Sequence, residues 1–233
     1  MIIYGKNIIK EAIKNKRPIY NLYIDKKFKD FVFLNFLKKN QIIYHLLDKH
    51  QLNEKTKSCH HQGIAAEVQD YSYYNLLDYL SSDNLQIQKF LILDKIQDPQ
   101  NFGSILRTLA TIDFDGVIIA KKHQVLLTSA VAKTASGALE YVKIFLVPNL
   151  YQTILKLKKN NVFVVGTDSN ASSTFRQIPK NHSLAIILGN EGAGISPLLK
   201  KNCDLIVKIP TNGPINSLNV SVAAALFMYF AIF

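Results

Sequence analysis

The sequence predicts two successive α/β units, the second built on a parallel sheet covered on both faces. From Phe90 onward six short apolar runs, "FLILD", "GVIIA", "KIFLV", "NVFVVGTD", "LAIILG" and "LIVKIP", alternate with stretches of helical spacing. Strands that are apolar at every position belong to sheets buried on both sides. Residues 1–70 instead carry short runs that switch between helix and strand period. Between the two, "SYYNLLDYLSSDNLQIQ" breaks the pattern with a Ser-Ser-Asp-Asn cluster, a turn and linker signal. The expected organisation is a small unit over 1–71, a linker over 72–88 centred near residue 82, and a larger unit over 89–233.

Each element of the first unit has its own signal. "NIIKEAIKN" places Ile8, Ile9, Ala12 and Ile13 on one helical face, "FVFLNFLKKN" reads as a second helix, and "IYNLYI", "QIIYHLL" and "GIAAEVQDY" read as strands. At the other end "VSVAAALFMYFAIF" is apolar over 14 residues, short of a membrane span, and reads as a buried or subunit-interface helix. The N-terminus "MIIYGKNIIKEAIKNK" interleaves charge with apolar residues and has no signal-peptide core. Two cysteines, Cys59 and Cys203, make no disulfide framework, so a cytoplasmic location is expected. "CHH" at 59–61 offers three adjacent side chains that do not converge on one ion, and no metal is expected.

The net charge is +11, which points to an anionic partner. It is spread along the chain: thirteen Lys and Arg against seven Asp and Glu over residues 1–75, fifteen against ten beyond. An extended polyanion touching both halves suits that distribution better than a basic tail would. Against this lysine-rich background only three residues are arginine, so Arg107 stands out. Guanidinium is planar and forked, suited to phosphate or carboxylate.

In an open parallel sheet ligands sit at strand exits, and three exits carry unusual residues. In "DPQNFGSILR" Asn101 is a candidate helix cap, Gly103 lies four residues before Arg107 on nearly the same face, and Ile105, Leu109 and Ile112 form the opposite, core-facing stripe. Arg107 is therefore expected to point away from the core at the strand-exit end. "GNEGAGISP" brings glycines at 189, 192 and 194 around Glu191, with Ser196 as candidate cap and Pro197 at the first helical position. "TNGPINSLN" gathers Thr211, Asn212, Asn216, Ser217 and Asn219 at the head of the last helix. A cap role explains Ser217 but not the density of amides around it. A dinucleotide site needs its glycines after the first strand and an acid after the second. Here the second strand ends "IIAKK", which argues against a dehydrogenase or a Rossmann methyltransferase.

Taken together and in order, these loops resemble the SPOUT superfamily, specifically its TrmH-type RNA ribose 2'-O-methyltransferases. Asn101, Gly103 and Arg107 match the first motif, Gly189 to Gly194 the second, and Ser217 to Ser221 the third. "TASGALEYV" is similar to the segment between the first two motifs. "YGKNIIKEAI" and "HQGIAAEV" resemble the ribosomal-protein-like RNA-binding domain of the RlmB branch, which modifies a guanosine of 23S ribosomal RNA. The resemblance implies a deep trefoil knot in the second unit, S-adenosylmethionine as cofactor, ribosomal RNA as partner and a homodimer. By the same carry-over Thr167, Gly189, Ile209, Leu218 and Asn219 hold the cofactor, Arg107, Asn101, Glu191, Ser217 and Asn219 serve catalysis, and His61 and Gln62 with Arg107 contact RNA. Two other readings stay open: the same chemistry on transfer RNA, and a non-catalytic RNA-binding or ribosome assembly factor.

Overall fold

A computed structural model describes residues 1–81, 87–214 and 217–233. The centre of the expected linker, near residue 82, and the Asn216 amide lie outside the described residues. The chain packs as two compact units, Met1–Ser72 with Leu127–Glu140, and Tyr73–Leu126 with Tyr141–Phe233.

The first unit holds β1 (Ile2–Tyr4), α1 (Lys6–Lys14), β2 (Ile19–Asp25), α2 (Phe31–Lys39), β3 (His45–Leu47), α3 (Lys49–Thr56) and β4 (Ile64–Val68). Its sheet runs β1-β4-β2-β3, with β4 antiparallel to both β1 and β2 and β3 parallel to β2. The four residues expected on the buried face of α1 are all buried. The run "QIIYHLL" yields only the three-residue β3, and α3 follows without an apolar stripe. Its signal is polar instead: Asp48 accepts from Gln51 N at 2.9 Å while Gln51 Oε1 accepts from Asp48 N at 3.0 Å, a reciprocal capping box. Packing also draws α6 (Ser129–Ala135) and the 3-10 turn Ala138–Glu140 into this unit, although in sequence they lie within the stretch expected to belong to the second.

His61 is 3% exposed. Its Nδ1 accepts from Gly63 N at 3.0 Å and its Nε2 pairs with Asn53 Oδ1 at 2.9 Å, which fixes the neutral tautomer with the proton on Nε2. The side chain expected to read RNA is thus spent on shaping its own turn, while the neighbouring Gln62 is exposed. Burial pushes the His61 imidazole below its ordinary value of 6.5, and Lys49 and Lys133 act the same way against Asp25. The unfolded chain then binds the proton that the folded chain refuses, so stability rises with pH. The contribution is complete above about pH 6.5 and is lost as pH falls below it. Urea melts between mildly acidic and neutral pH are expected to show this slope, and His61→Gln to flatten it; an unchanged slope would remove His61 as its source.

The second unit holds α4 (Leu76–Ser81), β5 (Lys89–Asp94), α5 (Pro99–Leu109), β6 (Gly116–Ala120), β7 (Ile144–Val147), α7 (Leu150–Lys159), β8 (Phe163–Thr167), β9 (Ser173–Thr174), β10 (Leu184–Gly189), α8 (Pro197–Lys201), β11 (Leu205–Lys208) and α9 (Val220–Ile232). All its strand pairs are parallel, in the order β7-β6-β5-β10-β8-β11-β9. The six apolar runs became strands, and β9 is the addition. Phe90 and Ile92 join Ile118, Phe145 and Ile187 in a core under α7, while Leu91 and Leu93, on the other face, are equally buried. That double burial is why the strands are apolar without alternation. The order places β10 beside β5 and β8 beside β10, so the exits carrying residues 94–101, 167–170 and 189–196 are neighbours.

Candidate functional site

Local chemistry sets the first exit. Asp98, not Asn101, caps α5, its carboxylate accepting from Gln100 N and Asn101 N at 3.1 Å each, with Pro99 following at the helix start. Asp is a good cap because it accepts from the orphan amides of the first turn. The Asn101 side chain is thereby freed to reach across. Its Nδ2 donates to Glu191 Oε1 at 2.5 Å, and its Oδ1 accepts from Asn219 Nδ2 at 2.8 Å. Residues 90 and 118 positions away in sequence thus meet on one amide.

The third segment is corrected in the same way. The cap of α9 is Asn219, whose Oδ1 accepts from Ser221 N at 2.9 Å and Ser221 Oγ at 2.6 Å, not Ser217. Ser217 instead faces the cavity described below. Ser196 does stand at the head of α8, yet makes no side-chain cap. Its hydroxyl and backbone N both donate to Asp94 Oδ2, at 2.5 and 2.7 Å. Asp94 is 4% exposed and ties the end of β5 to the end of the glycine loop.

The glycine loop folds back on itself. Gly194 N donates to Asn190 O at 2.8 Å, Gly192 N to Asn190 Oδ1 at 3.0 Å, and Asn190 Nδ2 to Lys95 O at 3.3 Å. The three glycines have different reasons to be there. A Cβ on Gly189 would lie 2.0 Å from the Gly194 carbonyl carbon, and Gly194 has φ 65, a region only glycine enters without cost. Gly192 is constrained by neither: a Cβ there would meet only Asn190 Oδ1, at 3.5 Å.

Inside the second unit the glycine loop, the exit of β8 and the segment leading into α9 enclose a cavity of about 580 Å³, in the range of small-molecule and cofactor sites. Its wall includes Thr167, Gly189, Ile209 and Leu218, together with Glu191 and Ser217. Thr167 Oγ1 donates to Ile187 O at 3.0 Å, so the residue is held as part of the wall. Asn101, Asn219 and Arg107 are not among the lining residues; the first two brace the loops that are. Three charged side chains that the sequence did not single out also line it, Lys208 and the pair Asp168 and Lys200. Asp168 and Lys200 form an ion pair, which with Asn170 N keeps the Asp168 carboxyl below the usual carboxylate range. The signal was available, because Asp168 directly follows Thr167 at a strand exit.

Arg107 is exposed, as expected, but sits in the last turn of α5. The helix begins at the strand exit and runs back along the sheet, so eight residues at about 1.5 Å each carry Arg107 away from the exit end. Among the described residues its guanidinium has no hydrogen bond or ion pair. The helix lies against α9, where Thr111 Oγ1 is 3.4 Å from Tyr229 Oη. Val222, Leu226, Tyr229 and Phe233 leave an exposed apolar stripe on α9.

Asn101→Ala removes both bracing bonds at once. Ligand-dependent activity of the site is expected to drop about tenfold to a hundredfold, with stability down by no more than roughly 1–2 kcal/mol because the bonds are exposed. Turnover and urea titration together check this; unchanged turnover would show that the loops hold their places without the bridge.

Among the described residues no group of His, Cys, Asp and Glu is arranged to hold a metal ion, and no helix is long and apolar enough to cross a membrane.

Comparison with known proteins agrees along the chain. The SpoU rRNA methylase family profile matches residues 88–229, and one described as RNA 2'-O ribose methyltransferase substrate binding matches residues 2–74. A Bacillus subtilis (strain 168) protein named for the TrmH family of tRNA/rRNA methyltransferases, YacO, is 37% identical over 232 residues, covering 97% of this chain and 93% of its own. A Staphylococcus aureus (strain MSSA476) protein named for the same family is 40% identical, covering 98% and 94%. The crystal structure of the SpoU methyltransferase AviRb from Streptomyces viridochromogenes, in complex with AdoMet, superposes with a TM-score of 0.83 at 21% identity, covering 99% of this chain and 88% of that one. An AdoMet-bound rRNA methyltransferase from Sinorhizobium meliloti gives 0.80 at 20% identity, covering 99% and 85%. With the two profiles matching residues 2–74 and 88–229, and the first motif segment hydrogen-bonded to the two that line the cavity, the chain belongs to the SpoU rRNA methylase family and is a TrmH-type RNA methyltransferase.

Proposed function

We propose that this chain methylates the ribose 2'-hydroxyl of a guanosine in 23S ribosomal RNA, with S-adenosylmethionine as donor, acting in the cytoplasm as a homodimer. The observation that carries the reading is the hydrogen-bonded chain from Glu191 through Asn101 to Asn219, which ties the first motif segment to the two that line the cavity. The donor suits that cavity: Thr167, Gly189, Ile209 and Leu218 supply the wall, with Asn219 fixing the segment that carries Leu218. When bound, S-adenosylmethionine supplies a methyl group already activated by its sulfonium charge. The tight packing of Gly189 on Gly194 supports a densely wound chain here, which we read as part of a trefoil knot.

The protein's own task is to align the hydroxyl and manage its proton. Guanidinium groups stay protonated in proteins, so we assign Arg107 to the phosphate beside the target ribose and to the charge that develops on the attacking oxygen. Asn101, Glu191, Ser217 and Asn219 orient the two reactants. Arg107 lies off the wall of its own cavity, on the helix beside the apolar stripe of α9. Pairing of two chains through that stripe would bury it and bring Arg107 to the interface. The ribosomal branch rests on the resemblance of "YGKNIIKEAI" and "HQGIAAEV" to the RlmB branch, while the substrate-binding match over residues 2–74 supports RNA as such.

The test is incubation with methyl-labelled S-adenosylmethionine and, separately, 23S ribosomal RNA and transfer RNA, followed by location of the label. A 2'-O-methylguanosine in 23S RNA is expected. Label only on transfer RNA would move the chain to the other substrate class, and cofactor binding with no label on either RNA would make it a non-catalytic binding factor.

A further inference from the structure

The first unit holds an ammonium group that no carboxylate among the described residues neutralises. Lys133 lies in α6, on the segment that packs with residues 1–72, and that segment is firmly fastened. Ser129 Oγ donates to Ile2 O at 2.5 Å. Arg17 Nε donates to Glu140 Oε1 at 2.9 Å, between side chains 14% and 4% exposed, and the Arg17 guanidinium carbon stacks 3.6 Å from the centre of the Tyr71 ring. Lys133 Nζ is therefore placed by a rigid neighbourhood. It stands 5.2 Å from the Tyr4 ring centre and so close to Gly5 that a Cβ there would come within 2.7 Å of it and 3.2 Å of Gln62 Oε1.

Two other part-exposed lysines of this unit find partners, Lys6 with Asp30 at 2.7 Å and Lys55 with Glu67 at 3.2 Å, whereas lysines without one among the described residues, such as Lys16, Lys27 and Lys38, are exposed to water. Among the described residues Lys133 has no hydrogen bond or ion pair, and neither has the exposed Lys49. Both charges act in the same direction on the His61 imidazole. Burial lowers the Lys133 pKa, the mark of a charge held where water solvates it poorly. Such a charge costs stability unless an anion compensates it. Gln62 Oε1 is occupied by Lys6 N at 3.0 Å, which leaves its amide Nε2 as a donor in the same place.

We propose that Lys133 and Lys49, with the Gln62 amide, bind the phosphodiester backbone of the RNA substrate. The substrate surface of the first unit then extends beyond residues 2–74 to a lysine supplied from the segment between the first two motifs. This rests on the RNA methyltransferase reading. Cations at a phosphate release counterions, so each contact contributes to the salt dependence of binding.

The experiment is fluorescence anisotropy of a labelled single-stranded RNA of mixed sequence against the full chain over a series of KCl concentrations. For K133Q and for K49Q the slope of log affinity against log salt is expected to shallow by about 0.7 each, the share of one phosphate contact on a single strand, and in the double variant by about twice that. K133R is expected to keep the wild-type slope. The thermal midpoint of K133Q should stay at or above that of the wild type, because a poorly solvated charge has been removed. A midpoint well below it would mark Lys133 as structural and overturn the assignment. A steep wild-type slope that neither variant changes would reject this site and leave RNA binding intact. A flat wild-type slope would instead sink the RNA reading of the unit, and the site with it.

Discussion

Replacing Arg107 by alanine is expected to reduce methyl transfer about 10²–10³-fold, the scale of losing one group that stabilises developing charge, while cofactor affinity and thermal stability stay at wild-type level. The separation follows from position. The side chain is exposed and makes no hydrogen bond or ion pair among the described residues, and it does not line the cavity. Helix α5 draws its stability from the Asp98 cap and from buried Phe102, Ile105, Leu106 and Leu109, none of which the substitution touches, and alanine is the better helix former. Arg107→Lys keeps the charge but loses the planar fork and should fall between the two. Calorimetry with S-adenosylmethionine beside single-turnover kinetics checks all three quantities. Full activity in the alanine variant would take Arg107 out of the mechanism.

Gly189→Ala should be the most damaging change in the glycine loop. The added Cβ would sit 2.0 Å from the Gly194 carbonyl carbon, 2.1 Å from its oxygen and 2.2 Å from Ile195 N. All three are backbone atoms, so no rotamer change relieves the overlap, and the loop must move as a body. Such forced shifts cost about 3 kcal/mol or more, and here they also displace the wall of the cavity. Cofactor affinity is expected to drop more than about a hundredfold, the equivalent of that cost. Gly194→Ala, strained by its φ of 65 but with nothing within 4 Å of the new carbon, should cost roughly 1 kcal/mol. Gly192→Ala should stay within about 0.5 kcal/mol, as a surface change with no special backbone requirement. Denaturation and calorimetry on the three variants test the order; equal effects at all three positions would contradict the close approach as the reason for Gly189.

Such differences were outside the reach of a motif. "GNEGAG" shows three glycines alike, and only the folded loop separates the one that touches backbone from the one that needs a left-handed conformation and the one that needs neither. The capping residues make the same point. Asn101, Ser196 and Ser217 each stand beside a helix start with suitable side chains. The structure gives the cap to Asp98 at α5 and to Asn219 at α9, and turns the Ser196 hydroxyl to Asp94. A cap is decided by which side chain reaches the first free amides when other acceptors compete, and those competitors come from distant parts of the chain.

Taken by itself the sequence determined the elements whose signals are local: six apolar runs that became parallel strands, the four-residue buried face of α1, and the apolar last helix. It determined the family as well, because three motifs in fixed order survive without knowledge of where they meet. Tertiary structure alone decided that Glu191, Asn101 and Asn219 share hydrogen bonds, that Arg107 ends up at the far end of α5, that His61 is buried, and that residues 127–140 pack with the first unit. The physical reason is range. Periodicity and turn chemistry act over a few residues, whereas strand order and the packing of one segment on another are set by the burial of surfaces far apart in the chain, which no short stretch contains.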